Sequence, residues 1–186
     1  MIIVAMPRTG ATRICMDIAE EKNLIYAGEL IPYSLRDLKI PNYKRIYHET
    51  KNQPVYRTRD FYALLEDHSQ HVVLSNFWSF ANLPTCSHII LRKNMRNAFL
   101  SHARFCSKFS EGTVGQELYM SFMNLRAIVA YLIEFGDDKV IWYEDYFPNW
   151  PDQKEINRDA ENKYGEMIDN LFESHSVVGD YLCSKN

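Results

Sequence analysis

Residues 1–13 read M-I-I-V-A-M-P-R-T-G-A-T-R, and this stretch decides the fold class. Ile2 to Met6 is a short apolar run, the pattern of a strand buried on both faces. Pro7, Arg8, Thr9 and Gly10 follow as a turn carrying cation and hydroxyl donors. A helical pattern starts at once, with Ile14, Ile18 and Ala19 on one face. Strand, donor-rich turn and helix N-terminus in succession make an anion site, because free backbone N–H groups and the helix dipole face whatever occupies the turn. Gly10 permits close backbone approach, and Arg8, Thr9 and Thr12 supply side-chain donors. The expectation is a loop that holds a phosphate or phosphosulfate group. Its rival is an ordinary α/β opening in which Thr9-Gly10 only caps the helix. No second glycine and no Gly-Lys-Ser/Thr follow, so the loop is not a Walker A sequence.

Outward from this segment, strands and helices alternate, which predicts a parallel α/β sheet of about five strands flanked by helices. Asn23 breaks the first helix, and Leu24 to Ala27 reads as a second strand ending at Gly28-Glu29. His71 to Ser75 is a third strand with Asn76-Phe77-Trp78 at its end. Ser87 to Leu91 is a fourth, running into Arg92-Lys93, with a helix over Asn97–Phe105. Lys139 to Tyr143 is a fifth, finishing in Glu144-Asp145. Val114 to Phe135 is the longest helical pattern, and its stripe of Leu118, Phe122, Leu125, Val129 and Leu132 reads as core. Asp60 to Asp67 reads as a short helix and Glu155 to Phe172 as a final polar one. Residues 30–59 carry three prolines and the cations Arg36, Lys39, Lys44, Arg45, Lys51, Arg57 and Arg59. They read as an irregular excursion suited to binding an acceptor, or as a solvated face.

The 186 residues fit one domain over 1–186. A hydrophobic fraction of 46%, a charged fraction of 24% and a net charge of −3 argue against a general nucleic-acid binder. Cys15, Cys86, Cys106 and Cys183 lack metal-site spacing, so reduced thiols and no metal are expected. The chain opens in a strand, without a signal-peptide pattern, and no apolar run reaches bilayer-spanning length. A cytoplasmic protein with no membrane association is expected.

Arg92 and Lys93 leave a strand end, and Ser101 lies on the next helix, making a second candidate anion cluster on the same sheet edge. Two such sites fit a nucleotide bearing two phosphate groups. Taken together, Pro7-Arg8-Thr9-Gly10-Ala11-Thr12, the run L-R-K-N-M-R-N-A-F-L-S over 91–101, and Tyr143-Glu144-Asp145 resemble the sulfotransferase family that uses 3′-phosphoadenosine 5′-phosphosulfate (PAPS). The matches stand in the family's order and span most of the chain.

The resemblance implies a P-loop-NTPase-like sulfotransferase fold and transfer of a sulfuryl group from PAPS to a hydroxyl or amine of a small-molecule or glycan acceptor. The product would be adenosine 3′,5′-bisphosphate. It implies that Pro7 to Thr12 cradles the 5′-phosphosulfate, with Arg8 neutralising charge on the leaving oxygens. Lys93, or Arg92 beside it, would bind the 3′-phosphate together with Ser101, and Tyr143 would lie near the adenine. Arg13 stands where the family often has tryptophan, and a guanidinium can stack on a base. The family's frequent histidine base after the third strand is replaced here by Ser75-Asn76-Phe77-Trp78. Gly28-Glu29 matches the form of other members, which implies Glu29 as the base. The rival functions are a non-catalytic nucleotide-binding or interaction module and a P-loop-like phosphotransferase.

Overall fold

The computed structural model of the chain describes residues 1–30, 71–75, 83, 86–149 and 157–185. The excursion expected over 31–59, the helix expected over Asp60–Asp67 and Asn76-Phe77-Trp78 lie outside the described residues. The chain divides into two compact units, one of Met1–Ala5 with Gly10–Ile89 and the other of Met6–Thr9 with Ile90–Asn186.

The first unit is built on β1 (Ile2–Ala5), whose four residues are all buried. Strand β1 pairs in parallel with β3 (His71–Ser75), which pairs in parallel with β2 (Ile25–Leu30). Helix α1 (Ala11–Glu21) joins β1 to β2 and buries Ala11, Ile14, Cys15, Ile18 and Ala19, the expected face. It ends where Asn23 takes a left-handed φ of 53°, a conformation asparagine tolerates better than most residues. Strand β2 runs further than its sequence indicates. The register slips between Tyr26 and Gly28, so Ala27 is bulged out and pairing continues with Gly28 opposite Val73 and Glu29 opposite Leu74. Glu29 therefore lies inside the strand and not beyond its end. Strand β4 (His88–Leu91) begins with the Ser87 N–H donating to the Ile2 carbonyl at 2.8 Å.

The second unit is mostly helical. The Met6 N–H donates to the Ile90 carbonyl at 3.4 Å. Strand β5 (Val140–Trp142) also belongs to this unit. Helix α2 (Met95–Ser107) starts earlier than the sequence indicates, with the Asn94 side chain accepting from the Asn97 N–H at 3.1 Å. Helix α3 (Val114–Phe135) has the bounds expected, and all five of its stripe residues are buried. Gly136 ends it at φ 85°, a left-handed position that suits a residue without Cβ. Tyr143 does not end a strand. It opens the helical turn α4 (Tyr143–Tyr146). Helix α5 (Arg158–Glu173) is followed by α6 (Ser176–Cys183), which the sequence reading did not foresee.

Three rings knit the helices. Phe122 of α3 meets Phe99 of α2 at 6.0 Å and Phe172 of α5 at 5.2 Å, and Phe99 meets Phe172 at 5.6 Å, all edge to face. Glu111–Phe135 meets the length and apolarity needed to cross a membrane, which the sequence reading had not expected of any run. Its stripe is buried, while Tyr119, Met120, Ile133 and Phe135 on the same helix are exposed.

Arg96 ties α2 to α5. Its guanidinium donates to both Glu161 oxygens at 2.7 and 2.6 Å and to both Asp169 oxygens at 2.6 and 2.9 Å. A Cβ at Gly165 would come within 2.7 Å of Glu161 Oε1, so the glycine leaves room for the clamp. Hydrogen bonds to Arg96 hold both carboxyls below their usual range, and the same bonds raise the guanidinium pKa. The unfolded chain therefore binds more protons at acid pH, and this stabilisation disappears as pH falls through the two lowered values. Because the groups are partly exposed, Arg96→Ala is expected to cost only about 1–2 kcal/mol at pH 7. The urea midpoints of variant and parent should converge below about pH 3. A gap that persists there would mean the arginine acts through packing and not through charge.

Candidate anion-binding site

The Met6 N–H donates to the Ile90 carbonyl, so within the second unit the turn that leaves β1 and the last residues of β4 are neighbours. Met6–Thr9 leaves β1 and Arg92–Asn94 leaves β4, both within the second unit.

The turn after β1 has a specific backbone. Arg8 takes φ 63° and Gly10 φ 70°, so a non-glycine residue sits in the left-handed region at a cost of about 1 kcal/mol. Left-handed residues are ingredients of the backbone nests that bind anions. Thr9 is fully buried, and its hydroxyl donates to the Met6 carbonyl at 2.7 Å. The expectation that this hydroxyl serves a ligand is corrected: it locks the turn, and Thr9 has only its N–H to offer. Past Gly10, the N–H groups of Arg13 and Ile14 both donate to the Gly10 carbonyl, at 3.1 and 3.3 Å. Those of Ala11 and Thr12 are first-turn donors with no partner inside the helix. Thr12 is exposed. Arg13 is paired with Asp17 one turn along α1 at 2.9 Å, which competes with stacking on a base.

Arg8 itself is exposed and meets no carboxylate among the described residues. Its Nε donates to Ser101 Oγ at 3.2 Å, and its guanidinium lies 5.4 Å from the Phe105 ring centre. Ser101 is buried on α2, so its hydroxyl orients the cation. The resemblance gave Arg8 and Ser101 to opposite phosphates of one donor, yet here they are hydrogen-bonded to each other.

Two neighbours were not foreseen. His102 follows Ser101, and burial first, then the charge of Arg8, pushes its pKa down to about 4. It is a neutral imidazole at pH 7. Cys106, one turn on, has its sulfur 3.8 Å from Nδ1 and 3.7 Å from Nε2, a near-equal approach to both nitrogens that no single in-line hydrogen bond gives. Burial and then Glu117 raise the Cys106 thiol pKa, against the pull of Arg8, so it is no activated nucleophile. The available signal was their spacing from Ser101 on one helix.

The other cluster is differently occupied. The Glu144 carboxylate accepts the Lys93 N–H at 2.8 Å and the Asn94 N–H at 3.2 Å. Lys93 Nζ is paired with Asp145 at 2.8 Å. Arg92 stacks on the Tyr143 ring at 4.3 Å and lies 3.6 Å from Glu144 Oε1. The Tyr143 phenol pKa is raised by burial, against the charge of Arg92. Arg92 and Lys93, expected to serve an external phosphate, thus already face internal carboxylates. The ring expected near adenine lies against Arg92 instead.

The structure therefore joins Arg8 with Ser101, and Arg92 and Lys93 with Tyr143, while Glu29 is placed only as a β2 residue of the first unit. Comparison with models of known protein families and with curated proteins finds no match.

Proposed function

We propose that the chain is a PAPS-dependent sulfotransferase built on a P-loop-NTPase-like fold. One observation carries this reading: a cation without a carboxylate partner among the described residues, Arg8, is aimed by a buried serine, Ser101, at the turn that leaves β1. Such a group suits a ligand that brings its own negative charge. The N–H groups of Arg8 to Thr12 would hold the phosphosulfate. An acceptor oxygen or nitrogen attacks sulfur in line as the bond from sulfur to the bridging oxygen breaks. Adenosine 3′,5′-bisphosphate leaves with the electron pair, and the acceptor's proton passes to Glu29, the base that the resemblance supplies. Arg8 stabilises the growing charge on the leaving oxygens, so catalysis is chiefly positioning and electrostatics. Arginine stays charged, so the leaving group gains no proton from it.

The pairing of Arg92 and Lys93 with Glu144 and Asp145 favours a second reading, a nucleotide-binding module without turnover. Calorimetric titration with adenosine 3′,5′-bisphosphate beside ATP separates these readings from a phosphotransferase. Selective bisphosphate binding, weakened in Ser101→Ala, is the expected result, and ATP binding alone would replace the donor assignment. Glu29→Gln should keep that binding and lose release of the bisphosphate from PAPS. Loss of neither would remove Glu29 as base.

A further inference from the structure

We propose that the turn joining β4 to α2 is a site for a tetrahedral oxyanion, closed in the free protein by the chain's own Glu144, which a ligand's phosphate displaces. The donor reading supplies the ligand's identity, while the site itself rests on the geometry alone. A carboxylate has two oxygens, and both are committed, one to the Lys93 N–H at 2.8 Å and one to the Asn94 N–H at 3.2 Å. Arg92 Nε, 3.6 Å from Oε1, is left out. It is buried without a hydrogen-bond partner, on a side chain only 11% exposed and fixed against the Tyr143 ring. A buried charged donor left unsatisfied is costly. A phosphate group's three terminal oxygens can serve both amides and Arg92 together, which a planar carboxylate bound to the amides does not.

The latch is also built to open. Glu144 is one-third exposed, and it stands on a single helical turn whose closing bond runs from the Phe147 N–H to the Tyr143 carbonyl at 2.8 Å. Lys93 is held by Asp145, which is 60% exposed, and such surface pairs exchange partners readily. A phosphate entering the turn would take the amides and Arg92 from Glu144 and Lys93 from Asp145.

The test uses the full chain with Glu144→Ala and Glu144→Gln. Inorganic phosphate should raise the melting temperature of Glu144→Ala more than formate or chloride does at equal ionic strength, and should raise that of the parent less, because there it must displace the carboxylate. Glu144→Gln should bind adenosine 3′,5′-bisphosphate about tenfold more tightly than the parent, because one like charge has gone, with adenosine 5′-monophosphate little affected. A Glu144→Ala protein indifferent to phosphate, or a Glu144→Gln protein that binds the bisphosphate more weakly, overturns the proposal. If no nucleotide binds any variant while phosphate still stabilises Glu144→Ala, the site stands and the donor reading falls.

Discussion

Arg8→Ala is expected to slow release of adenosine 3′,5′-bisphosphate from PAPS by two to three orders of magnitude, about 3–4 kcal/mol of barrier, the scale of one oriented donor to developing charge. In the proposed transfer the effect should fall on turnover, because the charge that Arg8 would meet grows as the sulfur–oxygen bond breaks. Arg8→Lys should recover part of it, since the charge returns without the Nε donor that Ser101 orients at 3.2 Å. A folding defect is separable by Arg8→Gly. At φ 63° a glycine relieves strain, so this variant should be about as stable as the parent and as inactive as the alanine form. Unchanged turnover in both variants would sink the assignment.

The same substitution has a readout on His102. Removing the arginine charge leaves burial, the larger cause, in place. The imidazole should therefore titrate above its present value of about 4 but still below its ordinary 6.5, as followed by proton NMR. In the parent, the unfolded chain takes up this proton before the folded one, so stability falls as pH drops from about 6.5 toward 4. The slope in that window should flatten in Arg8→Ala.

Phe122→Ala is expected to cost about 3–5 kcal/mol, the range for emptying an aromatic site in a packed core. Phe122 is fully buried and meets Phe99, Phe172 and His175, so its removal opens the junction of α2, α3 and α5. For a chain of this length the melting temperature should fall by about 10 °C in calorimetry. Phe122→Leu keeps most of the volume and should lose far less. A small effect of the alanine change would mean that the three helices close over the gap. Because α2 also carries Ser101, the alanine form should weaken anion binding at temperatures where it is still folded.

Elements whose burial repeats along the chain were the legible ones. The run Ile2–Ala5 announced a doubly buried strand, and the spacing of Ile14, Ile18 and Ala19 gave the inner face of α1. The α3 stripe was readable for the same reason. Boundaries set by pairing were less so. Glu29 entered β2 because a bulge at Ala27 kept the ladder going, and nothing in Ala27-Gly28-Glu29 announces a bulge. Tyr143 left β5 for a helical turn whose second residue is bound by amides 50 and 51 positions earlier. Thr9 reads as a ligand donor in the sequence, yet its hydroxyl closes the turn on the Met6 carbonyl three residues back, a local alternative that threonine side chains share.

By itself the sequence determined the α/β character, the parallel sense of the sheet and the two basic loops, because hydrophobic period and turn chemistry are short-range properties. The tertiary structure alone decided which charges are spent and which remain. Arg96 is bound to carboxylates 65 and 73 residues away, and Lys93 to one 52 away, pairings that cost loop entropy and leave no local mark. Arg8 meets no carboxylate among the described residues and is steered by a serine 93 residues on, which leaves its charge available to a ligand.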